Sequence, residues 1–213
     1  MNYSKVESDR FGFNIFRELA LEPDFNQISN SIIEKSVDIL ILRIPSSKQN
    51  QLYKLAHKGF PYLVADNLVY YNTDLSRLDI KQKKNIDIDY IIADSTHEET
   101  LRFLVKTIFD GYTNHYFSNP YFPKESILEG YQEWAQNLVT CNNPETITFL
   151  IKRGEKYIGF ASCGFDNKKS VCEGILYGVV DEESGKGIYS DLIRHTQKYF
   201  KDLGFHSMKV STQ

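Results

Sequence analysis

The chain has 213 residues, 41% hydrophobic and 25% charged, enough for one large or two small domains with a buried core. A formal charge of −3 removes the electrostatic case for nucleic acid, which needs a strong basic footprint. No disulfide framework or cysteine metal site follows from three cysteines (Cys141, Cys163, Cys172) without C-x-x-C spacing, and a reduced, cytoplasmic protein is the default.

The start, Met1 to Glu7, has no apolar signal-peptide core. The longest apolar run, Val37 to Ile44, is broken by Asp38 and Arg43 and is too short to span a bilayer. That run reads as a strand stopped by Pro45. Ser46 to Lys58 reads as a helix with Leu52, Leu55 and Ala56 on one face and Gly59 as its stop. With a second strand at Tyr62 to Tyr71, this makes a strand–helix–strand unit that prefers parallel pairing. The polar run Lys81 to Lys84 is most simply a solvated linker, with phosphate contact as the alternative. It places a boundary near residue 84, giving units 1–84 and 85–213.

The second unit begins with a strand at Asp87 to Ala93 and a helix from Thr96 to about Phe109, capped by Ser95 or Thr96. A Pro- and aromatic-rich loop, Phe117 to Pro123, leads into an amphipathic helix over Lys124 to Thr140. Strands at Thr146 to Lys152, Tyr157 to Phe165 and Val171 to Val180, joined by short turns, form an antiparallel meander. A glycine loop then opens a helix running to about Leu203, with Ile188, Leu192, Ile193, Tyr199, Phe200 and Leu203 on its buried face. Gly204 ends it, and a last strand covers Met208 to Thr212.

The loop carries the chemistry. Ser184-Gly185-Lys186-Gly187-Ile188-Tyr189-Ser190 turns backbone N–H groups toward one point at a helix start, a ready site for phosphate. A P-loop does not fit, because Gly187 rather than Ser or Thr follows Lys186. The dinucleotide fingerprint does not fit either, since Ser190 holds the place of its third glycine. A plain strand-to-helix turn explains the two glycines equally well on spacing alone.

In the order meander, glycine loop, helix, strand, these residues resemble the GNAT acetyltransferase superfamily. Its Gln/Arg-x-x-Gly-x-Gly/Ala loop is similar to Ser184 to Tyr189, with departures at Ser184 and Tyr189. Across the chain, Asp9-Arg10-Phe11-Gly12, the insert His115 to Phe122, Tyr131 to Asn137 and the ending Thr212-Gln213 are similar to one branch, the dTDP-4-amino-sugar (dTDP-fucosamine) acetyltransferases.

The resemblance implies an α/β protein: a GNAT acyl-CoA transferase fold with a small amino-terminal α/β subdomain. It implies acetyl-CoA as cosubstrate, no metal, and a small-molecule amine acceptor such as a nucleotide-linked amino sugar. The net charge and the short apolar runs give no case for a nucleic-acid or membrane partner, and a homodimer is allowed. Val179, Val180 and Ser184 to Ser190 (Ser184, Gly185, Lys186, Gly187, Ile188, Tyr189, Ser190) would hold the cofactor, with a backbone N–H near Val179 polarising the thioester oxygen. Gly178 suggests a bulge or a close backbone approach. Glu173 is the candidate base, against the plainer reading of a solvent-facing strand residue. His115, Tyr116, Tyr131 and Trp134 are candidate acceptor contacts, against a structural aromatic cluster. His57, His97, His195 and His206 lack metal-ligand spacing.

GNAT folds continue past this last strand, so the carboxy-terminal end of the fold, with its general acid, is expected beyond Gln213. Met208 to Thr212 is then expected to be a sheet edge. The rival readings are a non-catalytic acyl-CoA-binding or sensor module and a protein or polyamine acetyltransferase.

Overall fold

A computed structural model describes residues 1–80, 84–140 and 144–212. The chain forms two compact units, Met1–Asn67 with Asn114–Ile127, and Leu68–Thr113 with Leu128–Gln213. The boundary expected near residue 84 therefore falls inside the second unit.

The first unit begins with β1 (Asn2–Tyr3), α1 (Lys5–Phe11), β2 (Ile15–Leu19), α2 (Phe25–Glu34), β3 (Ile39–Arg43) and the short α3 (Tyr53–Ala56). The sheet order is β1-β2-β3, with β2 and β3 parallel. The Asp24 carboxylate starts α2 by accepting the N–H groups of Asn26 and Gln27. Phe25 and Ile28 of that helix pack on Leu55. The parallel strand–helix–strand unit thus lies at β2-α2-β3, one element earlier than the pattern indicates. Ser46–Leu52, expected as α-helix, is a 3-10 turn preceding α3. Its run of Ser, Asn and Gln offers little apolar surface for an α-helix to bury.

The second unit contains β4 (Val69–Asp74), β5 (Asp89–Ile92), α4 (Glu98–Phe109), most of α5 (Lys124–Thr140), β6 (Thr146–Arg153), β7 (Lys156–Asp166), β8 (Val171–Val179), α6 (Ile188–Asp202) and β9 (Ser207–Thr212). Its sheet runs β4-β9-β8-β7-β6-β5. The meander β6-β7-β8 and the helices α5 and α6 lie where the sequence puts them. Asp94, rather than Ser95 or Thr96, makes the cap before α4, accepting the Thr96 N–H at 2.9 Å. The core joins Leu101, Leu104 and Val105 of α4 to Leu150, Phe160 and Ala161 of the sheet and to Ile188 and Leu192 of α6.

Two expectations change. Met208 to Thr212 is not a sheet edge: β4 pairs antiparallel along all of β9, from Val69 opposite Thr212 to Asp74 opposite Ser207. β4 itself is the outer strand, and the segment Tyr62 to Leu68 ahead of it is not strand. On α6, Ile188, Leu192 and Phe200 are buried as expected, but Leu203 is exposed, and the polar Asp191 and Thr196 are buried completely.

Candidate functional site

Parallel strands β8 and β9 pair only over Val171–Gly174 and Ser207–Val210. Beyond Gly174, β8 continues to Val179 without β9 beside it, so the two strands fork. The register of β7 against β8 shifts at the same place, from Ser162 opposite Leu176 to Cys163 opposite Gly174, which leaves Ile175 as the extra residue of a bulge. The bulge expected at Gly178 is therefore three residues earlier. Gly178 serves the other predicted purpose, close approach: a Cβ there would lie 2.7 Å from Ile108 Cγ2 of α4.

The ladder also orients the backbone. The Val180 N–H donates to Ile158 O at 2.9 Å. Alternate residues of an antiparallel strand face the same neighbour, so Leu176, Gly178 and Val180 turn to β7. Tyr177 and Val179 turn their N–H and C=O groups the other way, into the fork. Of the two valines expected to contact the cofactor, only Val179 has its amide directed there; Val180 spends its amide on the ladder and its side chain is buried.

The Tyr177 side chain closes the base of the fork. Its hydroxyl lies 3.0 Å from both Cys163 Sγ and Thr196 Oγ1, and burial raises its pKa. Its ring crowds Gly174, where a Cβ would meet Tyr177 Cε1 at 3.1 Å and Val210 Cγ2 at 3.2 Å.

After β8, Asp181–Glu183 forms a 3-10 turn, and Gly185 and Gly187 adopt φ of 74° and 82°, a left-handed conformation that suits glycine. Within α6 the Asp191 N–H bonds to Gly187 O, which leaves the amides of Ile188, Tyr189 and Ser190 ahead of the helical ladder. Glu183 is paired with Arg153 and, at 3.1 Å, with Lys186. Partial burial would raise the Glu183 carboxyl, but the bonds from Lys186 and Arg153 outweigh it and lower its pKa.

Asp191 has the least expected role in this region. Fully buried, its carboxylate accepts the Lys84 N–H (3.0 Å), the Asn85 N–H (2.9 Å), Asn85 Nδ2 (2.8 Å) and Arg194 Nη1 (2.8 Å). Burial would raise its pKa, but these donors together hold it below the usual carboxylate value. The sequence signal was an acid within the apolar stripe Ile188, Leu192 of α6. Lys81 to Lys83 of the adjoining polar run lie outside the described residues, as does Cys141.

Glu173 is exposed on β8 opposite Lys209, with Nζ at 3.9 Å from Oε1. The four expected acceptor residues fall into two groups. Tyr131 stacks on Phe109 at 5.3 Å and stands 6.0 Å from Trp134, and Tyr112 joins the cluster edge-on to Phe109 at 5.4 Å. Phe109 also borders Gly178, so this cluster lies beside the open part of β8. Tyr189 belongs to the same neighbourhood: burial, and next the Tyr112 hydroxyl, raise its pKa. Phe109 and Tyr112 were not singled out from sequence, where each reads as an ordinary helix-end aromatic.

His115 and Tyr116 lie in the first unit. There the buried Glu7 takes Arg17 Nε at 2.6 Å, and both residues hydrogen-bond the Tyr116 hydroxyl. The His115 ring packs on Tyr116, with Asp66 at 3.6 Å; burial lowers its pKa against the opposing pull of Asp66. Among the described residues, no group of three or more His, Cys, Asp or Glu could hold a metal ion, and no helix is long and apolar enough to cross a membrane.

Residues 108–213 match the model of the Acetyltransferase (GNAT) family. A functionally unknown conserved protein of Staphylococcus epidermidis ATCC 12228 has a similar structure, with a TM-score of 0.54 at 13% identity, over 93% of this chain and 73% of that one. A GCN5-related N-acetyltransferase of Kribbella flavida aligns with a TM-score of 0.48 at 11% identity, over 88% and 63% of the two chains. AAC(6')-Iy, solved with the bisubstrate analog CoA-S-monomethyl-acetylneamine, aligns with a TM-score of 0.40 at 20% identity, over 59% and 80%. No curated protein matches the chain.

Proposed function

The chain belongs, through residues 108–213, to the GNAT acetyltransferase family, and we propose that it moves the acetyl group of acetyl-CoA onto the amine of a nucleotide-linked amino sugar. Acetyl-CoA-dependent N-acetyl transfer is the activity that membership gives it; the acceptor class and the residue roles are our reading. The observation that carries this reading is the fork between β8 and β9, with the glycine loop following the free end of β8.

The fork and loop suit the cosubstrate. Backbone groups of Tyr177 and Val179 offer hydrogen bonds to an extended amide-containing arm such as pantetheine. The amides of Ile188 to Ser190, at the positive end of α6, suit a pyrophosphate. When bound, acetyl-CoA supplies a thioester carbonyl as electrophile.

Glu173 would take the proton from the acceptor ammonium, directly or through water. This role constrains where the carbonyl lies. Six residues of strand separate Glu173 from Val179, roughly 20 Å. A carbonyl at the Val179 N–H would be out of reach of Glu173. Tyr177 is nearer, four residues or roughly 13 Å along the strand from Glu173. In our reading its N–H polarises the thioester oxygen near the closed end of the fork, water carries the proton to Glu173, and Val179 binds the arm on its way to the glycine loop.

The cluster of Phe109, Tyr112, Tyr131 and Trp134 supports an acceptor with flat and hydroxyl-bearing faces, because rings stack on a base and Tyr hydroxyls bond to sugar. His115 and Tyr116 are engaged in the Glu7–Arg17 network and are withdrawn as acceptor contacts in this proposal. A cytoplasmic setting agrees with the free thiols of Cys163 and Cys172.

The test is thiol release from acetyl-CoA across dTDP-amino-sugars, polyamines and peptide lysines. Preference for the dTDP-amino-sugars is expected. Preference for spermidine or a peptide would reject the acceptor while leaving the family activity intact.

A further inference from the structure

We propose that Lys84 supplies the mobile cationic contact to the phosphates of acetyl-CoA, and that Asp191 is the positioning residue that fixes it there. The inference rests on acetyl-CoA binding at the glycine loop.

Among the described residues, the loop is poor in available positive charge. Asp181, Glu182 and Glu183 precede it, and its own cation, Lys186, is paired with Glu183. Arg153 is paired with Glu183 and Asp87, and Arg194 with Asp191. Lys84 differs. Among the described residues no carboxylate lies within ion-pair distance of its ammonium.

Its backbone, by contrast, is fixed. Both oxygens of the Asp191 carboxylate lie 3.0 Å from the Lys84 N–H, and Asn85 adds two bonds to the same group. Asn85 Nδ2 also donates to Lys186 O at 3.2 Å, tying the segment to the loop itself. As a result Lys84 Cδ and Asn85 Nδ2 both lie 4.0 Å from where a Cβ on Gly187 would stand. The Lys84 side chain therefore passes Gly187, the residue that immediately precedes α6.

A buried carboxylate in the first turn of α6 would also compete with a bound anion for the helix end. Here it does not, because its charge is met by backbone and side-chain N–H groups of Lys84, Asn85 and Arg194. The arrangement holds a flexible cation next to the anion site while occupying the acid that would otherwise repel the ligand. The ammonium remains free to reach a phosphate oxygen.

The experiment is calorimetric titration of acetyl-CoA into the full chain and its Lys84→Gln, Lys84→Arg and Asp191→Asn variants and the Lys84→Gln/Asp191→Asn double variant, from low to high salt, with folding checked by circular dichroism. Lys84→Gln keeps the backbone bonds to Asp191 and should weaken binding about tenfold at low salt. The deficit should shrink as salt rises, because screening removes a charge contact in the wild type that the variant lacks. Lys84→Arg should restore most of the affinity, and Asp191→Asn should weaken binding and blunt the further effect of Lys84→Gln. Unchanged affinity in Lys84→Gln, or a deficit independent of salt, overturns the proposal with acetyl-CoA binding itself intact. A wild-type chain that does not bind acetyl-CoA overturns the parent reading and this one together.

Discussion

Asp191 and Asn85 are 106 positions apart in sequence, yet the Asp191 carboxylate accepts both the backbone N–H of Asn85, at 2.9 Å, and its side-chain amide, at 2.8 Å. With Lys84 and Arg194, these bonds pin the segment before β5 to the first turn of α6. Asp191→Ala removes the shared acceptor of four part-buried donor contacts, so a loss of about 2 kcal/mol is expected. The folded-state pKa of Asp191 is lowered, so its contribution is complete above the ordinary value of 3.8 and is lost as pH falls below that value through the folded one. Denaturant melts of wild type and Asp191→Asn across pH 2 to 7 check this. The variant should be less stable near neutrality, and the difference should narrow at the acid end.

Gly178 and Ile108 form a steric pair. A Cβ at Gly178 would stand 2.7 Å from Ile108 Cγ2, so close that the Ile108 side chain or α4 must shift. Gly178→Ala should cost about 1–3 kcal/mol. Ile108→Ala alone should also destabilise, by opening a cavity. The double variant should be more stable than the sum of the two losses indicates, because each change removes the cause of the other's strain. Denaturant midpoints of the four proteins measure this coupling directly.

Within the first unit, Arg17→Met would leave the buried Glu7 carboxylate without its cation. A loss of about 3 kcal/mol is expected, larger than that of a surface ion pair. Adding Glu7→Gln should recover part of the loss, since a neutral amide tolerates burial better than an unpaired charge. Thermal melts of the single and double variants decide it. Equal stability of Arg17→Met and wild type would show that the Glu7–Arg17–Tyr116 network carries little of the unit's stability.

The described thiols should be inert in the folded chain. Burial pushes Cys163 and Cys172 up to about 12, and both sit in the core with Phe200 and Met208. Site-resolved mass spectrometry after iodoacetamide treatment at pH 8 should find both unmodified in the native protein and labelled after denaturation.

What was legible in the sequence follows from where local signals are strong. The meander, α5, α6 and the glycine loop combine strict periodicity with short turns and helix stops, so their positions are encoded locally. The partner of β9 was not legible. Nothing in Val69-Tyr70-Tyr71-Asn72-Thr73-Asp74 states that it pairs with a strand more than a hundred residues later, and the nearby β3 offered a plausible local alternative. The fork carries no local signal in the sequence, and the bulge was misplaced by three residues because Gly178 carried the one visible cue. That cue belonged to the approach of α4. The Asp191 clamp was missed because a helix-start acid is ordinarily a solvent-facing one. The candidate acceptor contacts separated into two groups because aromatic content marks both cores and pockets, and Tyr116 is tied to Glu7 and Arg17.

The role proposed for the loop from Gly185 to Ser190 is to hold the pyrophosphate of acetyl-CoA. Gly187 precedes α6 at φ 82° and borders Lys84 and Asn85, so Gly187→Asp would add a carboxylate beside the helix-start amides. The deciding measurement is isothermal titration of acetyl-CoA into wild type and Gly187→Asp, both verified as folded. Saturable one-site binding to wild type and none to the variant is the predicted result. Equal affinity in the two proteins would contradict the account.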